Sequence, residues 1–94
     1  MASILAVKIK ATPETLLHDE WLLRWAREYL ANPNVVTVVP VIGPHSIDII
    51  VFEKNHIRFV EVKGRKAQQS NLERKLQTVV EGKPKLTYEL RRYA

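Results

Sequence analysis

The chain has 94 residues, 46% of them hydrophobic, which is enough for one domain near the lower end of sizes that fold alone and too few for a second. It has no cysteine, so disulfides, thiolate zinc sites and a cysteine nucleophile are excluded, and any metal would be held by oxygen or imidazole. Fifteen Lys and Arg against ten acids give a formal charge of +5, which suits a polyanionic partner and equally suits a basic solvated surface.

No apolar run reaches the roughly 18 residues that a membrane span needs. The opening Met-Ala-Ser-Ile-Leu-Ala-Val-Lys has no basic stretch ahead of an apolar one. Together these predict a soluble, cytoplasmic protein without a membrane partner. Residues 3–10 alternate Leu5, Val7 and Ile9 with Ala6, Lys8 and Lys10, the pattern of a half-exposed strand at a sheet edge.

Thr12 and Pro13 form a helix start, a capping hydroxyl followed by proline at the first helical position. The helix is predicted over residues 13–31, because Asn32-Pro33-Asn34 stops it. On its wheel Glu20, Arg24 and Arg27 cluster on one side, while Leu22, Leu23, Ala26, Tyr29 and Leu30 form a broad apolar side with Asp19 in its middle. Glu20 and Arg24 make an i,i+4 pair of the kind that is usually a weak surface salt bridge. Trp21 and Trp25, also four apart, suit packing in a core or a dimer better than base stacking.

Residues 35–41 are β-branched and read as a strand, with Pro40 at its end or at an irregularity. Gly43-Pro44-His45-Ser46 is a loop, in which His45 could meet a phosphate or a metal. Residues 47–63 then form a β-hairpin around either Lys54-Asn55 or the four residues Glu53 to His56. Both turns set Phe52 opposite Ile57, Ile50 opposite Phe59 and, continuing, Asp48 opposite Glu61. One face carries Asp48, Ile50, Phe52, Ile57, Phe59, Glu61 and Lys63, and the other carries Ile47, Ile49, Val51, Val60 and Val62. Two mostly apolar faces predict strands covered on both sides.

Gly64 is expected to end this strand, and Arg65, Lys66, Gln68 and Gln69 form a basic polar connection. Ser70-Asn71-Leu72-Glu73 is a capping box, so a second helix is predicted over residues 71–81, with Leu72, Leu76, Val79 and Val80 as its buried stripe and Gly82 and Pro84 closing it. Leu86, Tyr88 and Leu90 alternate along a last strand with Arg91 and Arg92 at its end. The order predicts an α/β fold, a mixed central β-sheet flanked by two helices.

The acidic rung asks for a chemical reason. Two carboxylates facing each other across a buried sheet repel, and a divalent cation between them removes the conflict. Asp48 and Glu61 supply oxygen ligands of the type Mg²⁺ or Mn²⁺ prefers, and the carbonyl of Val62 could add another. Lys63 would orient or help deprotonate a water, or offset charge on the phosphorus. The structural alternative is an ordinary ion network, with Lys63 bridging Asp48 and Glu61.

Asp48 followed, after twelve residues, by Glu61-Val62-Lys63 resembles the active-site motif of the PD-(D/E)xK, or restriction-endonuclease-like, nuclease superfamily. The order of elements from the first helix onward is similar to that of the archaeal Holliday-junction resolvases within it. The resemblance implies a restriction-endonuclease-like fold, a core of residues 12–94 with residues 1–11 as an extra N-terminal strand, and a Mg²⁺- or Mn²⁺-dependent endonuclease. DNA, branched or structured, is the implied substrate of a homodimer, and RNA shares the same phosphate chemistry. The family's first helix adds an acid, and Asp19-Glu20-Trp21-Leu22-Leu23 puts Asp19 in that place, with Glu20 and Glu14 as competing assignments. Ile47 stands where the motif has proline. Helicase-associated members use a helix histidine near the metal, a role open to His18, which otherwise reads as a partly buried amphipathic residue; His56 reads as a turn residue. Lys63, Arg65, Lys66, Arg74, Lys75, Arg91 and Arg92 would hold the nucleic-acid backbone.

Overall fold

The computed structural model of the protein describes residues 12–42 and 47–94. The strand expected within residues 3–10, and His45 with its loop, lie outside the described residues. The elements follow in the order α1 (Pro13–Leu30), β1 (Val35–Pro40), β2 (Ile49–Glu53), β3 (Ile57–Gly64), α2 (Asn71–Glu81) and β4 (Leu86–Tyr93). The four strands form one sheet in the order β1-β2-β3-β4, antiparallel between the first three and parallel between β3 and β4.

Local chemistry sets these limits. The Thr12 hydroxyl accepts from the Thr15 amide, Pro13 opens the helix, and the Ala31 amide closes it onto the Arg27 carbonyl just ahead of Asn32-Pro33. At the hairpin the Glu53 amide donates to the His56 carbonyl at 2.9 Å, which leaves Lys54-Asn55 as the turn. The register is the one the sequence predicts, Phe52 opposite Ile57 and Ile50 opposite Phe59. Ser70 and Glu73 form the reciprocal capping box that starts α2. Strand β3 runs one residue further than expected, through Gly64, because β4 pairs with it as far as Tyr93.

The core lies between α1 and the sheet. Leu22, Trp25 and Ala26, spaced i, i+3, i+4, pack on Ile49, Val51, Val60 and Val62. Each fully buried aliphatic side chain here contributes roughly 2 kcal/mol from apolar burial. Trp25 belongs to this core and is therefore withdrawn from any contact between copies.

The opposite face is covered less than the sequence predicts. Helix α2 packs over β4, because its 11 residues must carry the chain from the end of β3 back to the start of the next strand over. Ile50, Phe52, Ile57 and Phe59 remain partly exposed on this side, and Val39, paired with Ile50, is exposed. On α2 itself Val80 is buried while Leu72 and Val79 face solvent, so only part of the expected stripe is covered.

Candidate active site

The β2–β3 ladder ends at the pair Ile49–Val60, and Asp48 stands one residue beyond it. There the backbone departs from the expected rung. The Asp48 amide donates to the Val60 carbonyl at 3.1 Å, and its Oδ2 accepts from the Val62 amide at 2.8 Å, so the carboxylate takes the place of a ladder acceptor. Asp48 is 5% exposed. Its other oxygen, Oδ1, lies 3.4 Å from His18 Nε2.

His18 is the α1 residue that reaches the strand ends. Its Nε2 donates to the Val62 carbonyl at 3.0 Å and its Nδ1 to Asp19 Oδ1 at 3.0 Å. A carbonyl and a carboxylate both only accept, so both ring nitrogens carry protons and the ring is an imidazolium. Its pKa is accordingly pushed up to about 9, chiefly by the Asp48 carboxylate; burial opposes the shift, and Asp19 and the Val62 carbonyl reinforce it.

Glu61 is 2% exposed, and its charged neighbour Lys63 is turned toward α2. Its Oε1 is 4.0 Å from Lys63 Nζ, and its Oε2 is buried with no hydrogen-bond partner. Lys63 is not the expected bridge between Asp48 and Glu61. Its ammonium is held instead by Glu73 Oε1 at 2.9 Å, the same oxygen that accepts the Ser70 amide at 2.6 Å in the capping box. That box could be read from the sequence, but nothing in its spacing told that its glutamate also holds Lys63.

The remaining expected residues separate. Asp19 joins Asp48 only through the His18 ring, and Glu20 and Glu14 lie on the exposed side of α1. Arg65, Lys66, Arg74 and Lys75 are exposed. Arg92 donates to the Gly64 carbonyl and so clasps the turn that carries Arg65 and Lys66. Arg91 lies over the Trp25 ring at 4.5 Å and 3.4 Å from Glu28, on the α1 side of the sheet. His56 belongs to the far end of the hairpin, where it meets Glu53 at 2.9 Å. The Tyr93 phenol, beside His18, has its pKa raised by burial first and then by the charges of Asp19, Asp48 and Glu14.

Among the described residues no three carboxylate or imidazole side chains form one metal-holding group. Oxygens of the type a hard divalent cation takes are present on Asp48, Glu61 and the Val62 carbonyl, and of these Asp48 Oδ1 and Val62 O meet at His18 Nε2. The buried, unpartnered Glu61 oxygen is the observation that fits such an ion, since an uncompensated carboxylate oxygen costs free energy where it is. His18 currently covers the other two oxygens. No helix among the described residues is long and apolar enough to cross a membrane. Comparison with known proteins found no matching family model, no matching curated protein and no matching solved structure.

Proposed function

We propose that the protein is a metal-dependent endonuclease that hydrolyses phosphodiester bonds of DNA, with branched or structured DNA as its substrate, on a small restriction-endonuclease-like fold. The observation that carries this reading is the buried, unpartnered Oε2 of Glu61, whose other oxygen lies 4.0 Å from Lys63. Asp48, Glu61 and the Val62 carbonyl would hold Mg²⁺ or Mn²⁺, which when bound neutralises charge on the phosphate and acidifies a water. Lys63 would orient the attacking water or offset charge at phosphorus; the water oxygen gives up a proton and forms a new P–O bond while the P–O bond to the departing sugar oxygen breaks, and that oxygen takes up a proton. Arg65, Lys66, Arg74 and Lys75 steer the polyanion, so binding weakens steeply with salt.

Branched, duplex and single-stranded DNA, and matching RNA, are incubated with the protein in Mg²⁺, Mn²⁺ or EDTA. Metal-dependent cleavage of DNA is the expected result, and no cleavage of any substrate with either metal would overturn the reading.

A second reading is a nucleic-acid-binding or assembly module that keeps this architecture without catalysis. The Lys63–Glu73 ion pair favours it, because the ammonium is drawn toward α2 and away from Glu61. Calorimetric titration separates the two: the catalytic reading expects Mn²⁺ to bind and binding to vanish in Asp48→Asn.

Two copies of the chain are proposed to associate through the face that α2 leaves open. Val39 stands exposed opposite the partly exposed Ile50 next to Phe52, and Leu72 and Val79 are exposed on α2, apolar surface that a second copy could cover. Sedimentation is expected to give a dimer at micromolar concentration and a monomer for Val79→Glu; a monomeric wild type would refute the assignment.

A further inference from the structure

The two tryptophans that look equivalent in the sequence have different surroundings. Trp25 is buried and capped by Arg91. Trp21 is only half-buried, and its ring lies nearly parallel to that of Tyr93, 10° between planes with centroids 6.1 Å apart. Trp25 leans on the same Trp21 ring, 5.3 Å between centroids at 45°, and the exposed Arg24 lays its guanidinium 4.4 Å over it, so a base would reach this ring by displacing Arg24. Tyr93 in turn meets the His18 ring edge-on at 6.5 Å, and His18 touches Val62 O and approaches Asp48. Four planar groups, His18, Tyr93, Trp21 and Arg24, therefore run outward from the end of β3 along the α1–β4 boundary.

Position and charge decide what such a row fits. Tyr93 pairs in register with Gly64 and meets His18, so the row begins at the strand end that carries Asp48 and the Val62 carbonyl. The turn after Gly64 carries the exposed Arg65 and Lys66, which gives the same end of the sheet a surplus of positive charge. Aromatic faces flanked by guanidinium groups bind nucleobases by stacking and cation–π attraction, with little regard to sequence. In a duplex each base face is already covered by its neighbours, so such a row can engage only a base that has left the stack.

We propose that Trp21 and Tyr93 form a stacking platform for an unpaired nucleobase next to the scissile phosphate, so that the protein selects single-stranded nucleic acid or duplexes with unpaired nucleotides. The placement of the phosphate rests on the nuclease reading; the stacking itself does not.

The test is binding in EDTA, which keeps it apart from cleavage. Anisotropy of labelled oligonucleotides compares single-stranded DNA, single-stranded RNA and blunt duplex, and a fluorescent base analogue in the single strand reports stacking on the wild type directly. The wild type is expected to quench the analogue. Trp21→Leu is expected to weaken single-strand binding roughly tenfold with duplex binding changed by less than about twofold, and Trp21→Phe to retain most of the affinity. Equal losses for DNA and RNA mark the base as the ligand, and a loss confined to one names the strand recognised. An unquenched analogue, or equal losses for single strand and duplex, would overturn the proposal. A platform that passes while no metal supports cleavage would leave stacking in place and remove the nuclease.

Discussion

Glu61→Gln is expected to yield a protein that is more stable than the wild type and unable to cut DNA. The wild-type carboxylate is almost wholly buried, one of its oxygens has no partner, and the nearest ammonium is 4.0 Å away and already bound to Glu73. Burying such a charge is costly, and the amide keeps the shape while removing the charge, so a gain of about 1 kcal/mol is expected. On the proposed nuclease reading the same change also removes a charged ligand from the proposed metal site, and cleavage should fall by at least about a thousandfold, equivalent to about 4 kcal/mol of barrier. Chemical denaturation and a cleavage assay on one preparation check both signs. A loss of stability with cleavage retained would mean that Glu61 is a structural member of the sheet end.

Asp48→Asn is expected to act first on His18. Asparagine can still accept the Val62 amide through its carbonyl, but its neutral side chain no longer favours the imidazolium. In the wild type His18 titrates at about 9 against 6.5 for an ordinary histidine. A group whose pKa is higher in the folded state stabilises fully below its unfolded value, and that contribution is lost as pH rises through its folded value. Wild-type stability should therefore fall between about pH 6.5 and 9, by about 1 to 2 kcal/mol once the partial exposure of the ring is allowed for. In Asp48→Asn the ring signal by NMR should move toward 6.5, the slope should flatten, and Mn²⁺ should no longer bind. A His18 titration unchanged by the substitution would separate the two side chains.

The sequence carried much of this arrangement because alternation is rigid. Once Lys54-Asn55 is the turn, Ile50 and Phe59 must face each other, and Asp48 and Glu61 must stand near the same strand ends. Helix α1 was legible through Thr12-Pro13 and Asn32-Pro33, and α2 through the Ser70–Glu73 box. What was not legible came from the third dimension. The expected wheel puts Asp19 in the middle of the apolar side because it counts Leu23 and Leu30, yet both are exposed; the covered face is Leu22, Trp25 and Ala26, which is turned toward His18, so the ring of His18 reaches the Val62 carbonyl and Asp19 stops at that ring. The break of the ladder at Asp48 could not be read either, because period-two alternation assumes regular pairing to the end of the strand. Nor does apolarity on both faces of β2 reveal that α2 sits over β4.

The shared oxygen of Glu73 makes two properties into one. Because Oε1 takes both the Ser70 amide and the Lys63 ammonium, the first turn of α2 cannot fray without loosening that ammonium. Hydrogen exchange at Ser70 and release of Lys63 from Glu73 would then report the same local opening. The position of the positive charge at the strand end is thus set by the local stability of the α2 terminus.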